Sequence, residues 1–460
     1  MEKPPSDRIL RPGGRFEHYF NSRSRLNLTG YVIVCARYAH TSGKPLSKSV
    51  LYAALEDVIR NNVALAARFV PQSPLSVWVS LPTVNLNRVV TFADKDSASL
   101  PTLLEELFIQ PLEFLEDMPL WRLVVLRDGM MVFAYDHTLG DGQSGLAFHH
   151  NLLASLRSIH EPQSDHSGIV CSSEDATLTP ALEDAADTTV PWMMMLRELS
   201  KYFFPFLDRK KWKAWSGYPV QQPLTLVTTV RILEYTPVQA SSLVKLSRDH
   251  KATLTSTIHS LALVILSRLI VSQPANDQYQ YLCTFIPVSL RRITGAPASA
   301  TCNHASVLSI YHPLLRPPSV LTVGKESFPW DTAAALTATL RDEAPRAAPI
   351  VGMFKYLFGK YDEYCLGMLG TKRGAGLTVS NLGAFPEPPP KTGDDAQWHV
   401  QETLFVQADA TLGAALKVNA VGTGAGGLGI SITWGKGAVD DVLAEEFVKA
   451  FDEGLRTLAQ

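Results

Sequence analysis

Residues 121–142 constrain the fold more than any other stretch. Residues 121–127 read WRLVVLR and residues 130–136 read MMVFAYD, two apolar, β-branched and aromatic runs separated only by Asp128-Gly129. Asp-Gly between two such runs is the strongest short-range hairpin signal, because a type I′ turn needs positive φ at both central positions. The second run leads into His137-Thr138-Leu139-Gly140-Asp141-Gly142, and a helical pattern follows over about 143–159, with Leu146, Leu153 and Leu156 among its apolar positions. His137 therefore stands where a strand ends and a glycine-containing turn opens a helix. Histidine titrates near neutrality and is the usual general base. To take a proton from an alcohol it must be held in one tautomer, normally by a hydrogen bond at its other ring nitrogen. Asp141 in the turn suits orientation or bracing, and Gly140 and Gly142 let the backbone approach a ligand or adopt positive φ. The same residues also suit a strand-end histidine above a purely structural Asp-Gly turn.

Around this unit the chain alternates strands and helices. Residues 31–39 read as a strand, and residues 47–60 as an amphipathic helix with Leu51, Leu55, Val58 and Ile59 on one face. In the second half a helix is expected over 253–270. Strands are expected at 279–288, 305–312, 376–380, 414–421 and 428–434, and a closing helix at 439–458. In 428–434, Leu428, Ile430, Ile432 and Trp434 alternate with Gly429, Ser431 and Thr433, which predicts one buried face. Residues 161–189 are acidic, Ser/Thr-rich and aperiodic, as in a surface insertion or mobile loop. Residues 190–215 turn aromatic, Met-rich and basic, and the domain junction is placed there, giving domains 1–215 and 216–460. The preferred reading of 190–215 is an interdomain crossover whose apolar residues pack into the core while its lysines snorkel outwards. The alternative is a peripheral membrane contact.

Composition removes several function classes. With 42 basic and 44 acidic residues in 460, the net charge of −2 argues against a general nucleic-acid binder. A hydrophobic content of 46% excludes a largely disordered chain. Cys35, Cys171, Cys283, Cys302 and Cys365 are scattered without a CxxC, so neither a disulfide framework nor a zinc site is expected, and the scattered histidines indicate no metal. No uncharged apolar run reaches about 18 residues; the longest, 256–266, meets Arg268. Residues 1–14 lack an apolar signal core, so a cytoplasmic location is expected. No GxSxG nucleophile motif is present.

The HxxxDG pattern of His137, Asp141 and Gly142 resembles the hallmark of CoA-dependent acyltransferases with the chloramphenicol acetyltransferase fold. That superfamily includes plant acyltransferases, fungal alcohol and trichothecene acetyltransferases, and peptide-synthetase condensation domains. PLWRLVVL at 119–126 resembles the strand before the motif, and RFEHYFNSRSRLNL at 15–28 is similar to the opening of the fungal alcohol acetyltransferases. IPVSLRR at 286–292, VSNLG at 379–383 and TWG at 433–435 also have counterparts, in family order. Asp136 stands where condensation domains commonly carry a second histidine, and the plant DFGWG motif is missing. The chain therefore looks most like the fungal alcohol and trichothecene O-acetyltransferases.

The resemblance implies an α/β (α+β two-layer) fold of two chloramphenicol-acetyltransferase-like domains, each a mixed sheet covered by helices, with a tunnel between them. It implies His137 as general base and Asp141 turned away from substrate onto an arginine, Arg291 in the first place and Arg292 in the second. Gly142 would make room for substrate. Ser380 and Asn381 would line the tunnel from the second domain, where a hydroxyl assists the oxyanion. Trp434 is a further tunnel candidate, with a core aromatic as the plainer reading. The implied co-substrate is acetyl-CoA or another acyl-CoA, and the acceptor is a hydroxyl of a hydrophobic small molecule, a fungal secondary metabolite. No permanently bound cofactor, metal or nucleic acid is implied, and a monomer is expected. Three alternatives stay open: a carrier-bound donor or amine acceptor on the same fold, a CoA-independent cyclisation using His137, and a non-catalytic small-molecule binding protein.

Overall fold

The computed structural model describes residues 8–460 apart from 72–75, 111–114, 160–165, 176, 205–207, 222–225, 316–323, 389–396 and 409–410. The hairpin at the head of the sequence argument forms the middle of a five-stranded sheet. Its strands run in the order Trp398–Gln407, Val32–His40, Met130–Tyr135, Trp121–Leu126 and Val90–Ala93. The turn differs from the type I′ expectation. Gly129 is left-handed at φ +81°, but Asp128 is not. The Gly129 N–H donates to the Leu126 carbonyl at 3.2 Å, the three-residue hairpin form in which a turn is followed by one left-handed glycine. The Asp128 carboxylate accepts from Arg37 Nη1 at 2.8 Å and from the Ser97 N–H at 3.0 Å, which holds the turn in this form.

The second large sheet has seven strands. Six run in the order Ala214–Trp215, Tyr281–Ser289, Leu377–Ala384, Leu416–Gly422, Leu428–Gly435 and Thr228–Tyr235; Ala305–Pro313 pairs with Tyr281–Ser289 off that path. Helices Leu254–Val271 and Asp441–Ala459 pack with this sheet in one core. The helix Leu254–Val271 is long and apolar enough by composition to cross a membrane, yet 78% of it is buried in the protein. Its hydrophobicity is explained by the sheet it covers. Leu428–Gly435 departs from the one-face expectation, because all eight of its residues are buried. Ser431 Oγ donates to the Phe405 carbonyl at 2.7 Å, so the face away from the helices meets the first sheet.

That contact exposes a second departure. The strand Trp398–Gln407 comes from the second half of the chain but pairs antiparallel with Val32–His40 of the first sheet, from Trp398↔His40 to Gln407↔Val32. In the other direction, Ala214–Trp215 joins the second sheet. A cut at 215/216 therefore separates residues that share a sheet at both places.

Within 161–189, residues 161–165 and 176 lie outside the described residues; the others are anchored more firmly than a mobile insertion. Ile169–Cys171 pairs with Thr83–Asn85, a short helix spans Leu182–Ala185, and Val170 and Leu182 are buried. Of residues 190–215 only Ala214 and Trp215 are buried in the core; the described residues before them stay at the surface, contrary to the preferred reading. They form the helices Trp192–Phe203 and Arg209–Trp212, and Trp192 is 70% and Met193 65% exposed. Pro205, Phe206 and Leu207 lie outside the described residues, as does the Tyr202 side chain.

Candidate active site

The strand Met130–Tyr135 delivers Asp136 and His137 into a tight turn. The Asp136 carboxylate accepts from the Thr138 N–H at 2.7 Å, and its backbone carbonyl accepts from the Leu139 N–H at 3.0 Å. Burial pushes the Asp136 carboxyl up, against hydrogen bonds from Ser24 and Thr138 and the charge of Arg23. The residue in the second-histidine position is thus a buried turn former.

His137 is held by its backbone and by one ring face. Asn303 Nδ2 donates to the His137 carbonyl at 2.6 Å. Phe20, from the N-terminal helix Arg15–Arg25, stacks on the imidazole with centroids 3.6 Å apart and planes 8° from parallel. Nδ1 is buried without a well-formed hydrogen bond, so the expected tautomer-fixing bond is not formed there and the stack sets only the plane of the ring. Burial lowers the His137 pKa to about 4; the backbone of His137 and Gly140 and the carboxylate of Asp141 oppose this, while the Arg23 guanidinium adds to it. Arg23 is itself buried. It lies 5.2 Å from the Tyr19 ring centroid and 5.4 Å from that of Phe20, and its Nε has no hydrogen-bond partner. At neutral pH His137 is an uncharged imidazole able to accept a proton.

Asp141 faces away from this ring. It caps the helix Gly142–Leu156, a position that Asp favours because its carboxylate satisfies an orphan N–H. Oδ1 accepts from the Ser144 N–H and Oγ, both at 3.1 Å, and from Arg291 Nη2 at 2.8 Å. Oδ2 accepts from the His304 N–H at 3.2 Å. Arg291 Nη1 also donates to the carbonyls of Ala300 at 2.8 Å and Pro297 at 3.2 Å. Burial opposes the Arg291 charge, but Asp141 outweighs it and holds the guanidinium protonated. Arg292 is exposed. The buried pair ties the first helix after the motif to residues 291–304 of the second half.

The remaining expected site residues divide. Gly142 and Gly140 lack positive φ, so neither is a conformational requirement. The need at Gly142 is close approach: a Cβ there would stand 2.7 Å from Leu382 Cδ2 and 3.2 Å from Phe405 Cζ. The space expected for substrate is filled by the second half. Gln143 Nε2 adds a bond to the Leu382 carbonyl at 2.8 Å, so the segment 379–383 does abut the motif helix. Ser380 is buried in its strand opposite Asn419. Asn381 donates to Thr255 Oγ1 at 3.0 Å and accepts from the Gly383 N–H at 2.9 Å, as a turn former does. Trp434 is a core residue whose indole N–H donates to Asp441 Oδ1 at 2.8 Å, which corrects its assignment to the tunnel. Among the described residues no hydrogen bond joins Ser380, Asn381 or Trp434 to His137. Two cavities of about 450 and 310 Å³ open at Glu234–Pro237 with Gln401–Leu404 and at Thr177–Pro180 with Thr294–Pro297; His137 lines neither.

Sequence reasoning missed Phe20, Arg23, Ser144, Asn303 and His304. Ser144 had a legible signal, three residues after a capping aspartate. Asn303 and His304 had none, since only the fold brings residues 150 or more apart to one turn.

Two helix-covered sheets, each completed by a strand from the other half of the chain, that meet at an HxxxDG turn define the acyltransferase class with the chloramphenicol acetyltransferase fold. Residues 91–455 match the alcohol acetyltransferase family, and the chain belongs to it. A probable alcohol acetyltransferase of Aspergillus fumigatus, crmB, is 26% identical over 427 residues, 86% of this chain and 87% of that protein. FCK4 of Fusarium pseudograminearum, also a probable alcohol acetyltransferase, is 24% identical over 393 residues, 80% of this chain and 77% of that protein. The solved TRI3 trichothecene 15-O-acetyltransferase of Fusarium sporotrichioides shares the fold, with a TM-score of 0.70 at 13% identity over 97% of this chain and 95% of that one. The first condensation domain of the calcium-dependent antibiotic synthetase shares it at a TM-score of 0.59 and 16% identity, over 98% and 97% of the two chains.

Proposed function

We propose that the protein is a CoA-dependent O-acetyltransferase acting on a hydroxyl of a hydrophobic small molecule, a fungal secondary metabolite. The observation that carries the reading is the division of labour in HTLGDG. Asp141 is fully occupied in structure by Ser144, Arg291 and His304, while the His137 ring is neutral and its buried Nδ1 has no well-formed hydrogen bond among the described residues. In this mechanism His137 takes the acceptor's hydroxyl proton as the oxygen attacks the thioester carbonyl. A C–O bond forms, the tetrahedral intermediate collapses with cleavage of C–S, and the CoA thiolate recovers the proton from His137. Acetyl-CoA is a consumed co-substrate. Membership of the alcohol acetyltransferase family supports the acyl group and the alcohol acceptor. The test is thiol release from acetyl-CoA by the purified protein across a panel of apolar alcohols. His137→Ala is expected to lose ~10²–10⁴-fold in rate with an unchanged circular dichroism spectrum. A variant that keeps a tenth or more of the wild-type rate removes His137 as the base.

A further inference from the structure

The helix Trp192–Phe203 turns an apolar stripe to solvent. Trp192, Leu196, Leu199 and Phe203 recur at i, i+4, i+7 and i+11 and share one face, with Met193 at its margin. All five are exposed, Leu196 by 54%. A surface helix normally turns such a stripe to the core. Here the side nearer the protein carries Met194, Met195 and Glu198, each half-buried, and the Glu198 charge acts on Tyr311 and Tyr364 of the protein body. The charge beside the apolar face is strongly one-sided. Residues 190–215 carry Arg197, Lys201, Arg209, Lys210, Lys211 and Lys213 against only Glu198 and Asp208, in a chain whose net charge is −2. Arg197 and Lys201 both reach Glu198, which leaves the group at 209–213 to set the local field.

We propose that this face docks on an anionic lipid bilayer. Exposed aromatic and aliphatic side chains beside a cationic cluster are complementary to a membrane interface, where apolar bodies sink below the headgroups and cations meet acidic lipid. The position of the face adds a purpose. Tyr364, which feels Glu198, stands 6.2 Å from Tyr19. Tyr19 stands 5.3 Å from Phe20, and Phe20 stacks on His137. A wall of aromatic rings thus runs from beside the docking helix to the base. In the supply role, a bilayer-dissolved alcohol would reach the base along this apolar wall. This supply role rests on the acyl-transfer reading above; the docking does not.

The experiment is co-sedimentation of the full chain with phosphatidylcholine vesicles, with and without phosphatidylserine, at low and high salt. Acetyl transfer is assayed in parallel to one water-soluble and one bilayer-dissolved alcohol. Binding is expected only with phosphatidylserine and is expected to weaken with salt. It should fall on the order of tenfold or more in Lys210→Glu/Lys211→Glu/Lys213→Glu and in Trp192→Ser/Leu196→Ser. Those variants should transfer to the soluble alcohol as well as wild type does and more slowly to the bilayer-dissolved one. No binding at low salt, or equal binding by the variants, overturns the docking. A concentration-dependent dimer abolished by Leu196→Glu overturns it too and assigns the face to a second copy. Docking with unchanged transfer from the bilayer overturns the supply role alone. Docking with no transfer to either alcohol leaves the face intact and removes the acyl-transfer reading.

Discussion

At the scale of single residues, one imidazole and one ion pair do separate work. His137 is neutral because burial and Arg23 lower its pKa to about 4. The base form is therefore full at neutral pH, and kcat/KM should fall only as pH drops through about 4, not through the ordinary ~6.5 of a histidine. Arg23→Met removes a cation that disfavours His137 protonation, so the acid limb should move upward. A limb that stays put takes Arg23 out of the site. The same shift has a stability cost of defined sign. Between pH 6.5 and about 4 the unfolded chain binds a proton that folded His137 refuses, so stability declines with falling pH across that window, and His149, also lowered to about 4 by burial, adds to the decline. Asp141 answers to a different measurement. Asp141→Asn leaves Arg291 buried without its carboxylate, a loss of ~3–5 kcal/mol, and should lower both Tm and rate. Asp141 and Arg291 should couple in a double-mutant cycle, whereas additive losses would dissolve the pair. Both partners were legible in the sequence only through motif resemblance, because no local pattern links residues 141 and 291. The Phe20 stack was not legible at all: an aromatic on an amphipathic helix reads as core.

Elements were read well wherever periodicity was strong and less well where two elements meet. The strand expected at 31–39 is found at Val32–His40, and the helix expected at 47–60 at Lys48–Asn61, because β-branching and i, i+4 spacing are local causes. The helix after the motif starts one residue earlier than expected, since Asp141 is its cap. The exposed helix Trp192–Phe203 was misjudged because an apolar stripe states amphipathicity without stating which side meets protein. Gly142 was misjudged for a related reason: the sequence shows a small residue but not what fills the space it leaves. That space holds Leu382, which makes the close approach testable. Gly142→Val should cost ~1–3 kcal/mol in urea unfolding through overpacking. Leu382→Ala in the same chain should recover part of the loss, because the clashing atom is the end of the Leu382 side chain. If the second substitution only adds to the first, the two elements are not packed through this pair.

For the molecule as a whole, strand exchange decides how the halves depend on each other. Composition and the aromatic, basic segment near 215 suggest two independent domains, and nothing local announces that residues 398–407 return to the first sheet. Those residues bury Trp398, Val400, Leu404, Phe405 and Val406. At ~1.5–3 kcal/mol per buried side chain, they contribute on the order of 10 kcal/mol, comparable with the whole net stability of a typical domain. Without them, Val32–His40 becomes an open edge strand with a row of unpaired backbone groups and an apolar face, the usual template for aggregation. Residues 1–215 expressed alone should therefore be insoluble or lack a cooperative thermal transition. Co-expression with residues 216–460 should restore a soluble complex, because the second fragment carries the missing strand. A charge placed at the centre of that strand, Phe405→Asp, should abolish the rescue, while Glu402→Gln, at a partly exposed position of the same strand, should not. A soluble, monomeric 1–215 fragment with a cooperative melt would show that the first sheet closes without the returning strand, and the two halves would then be domains in the independent sense.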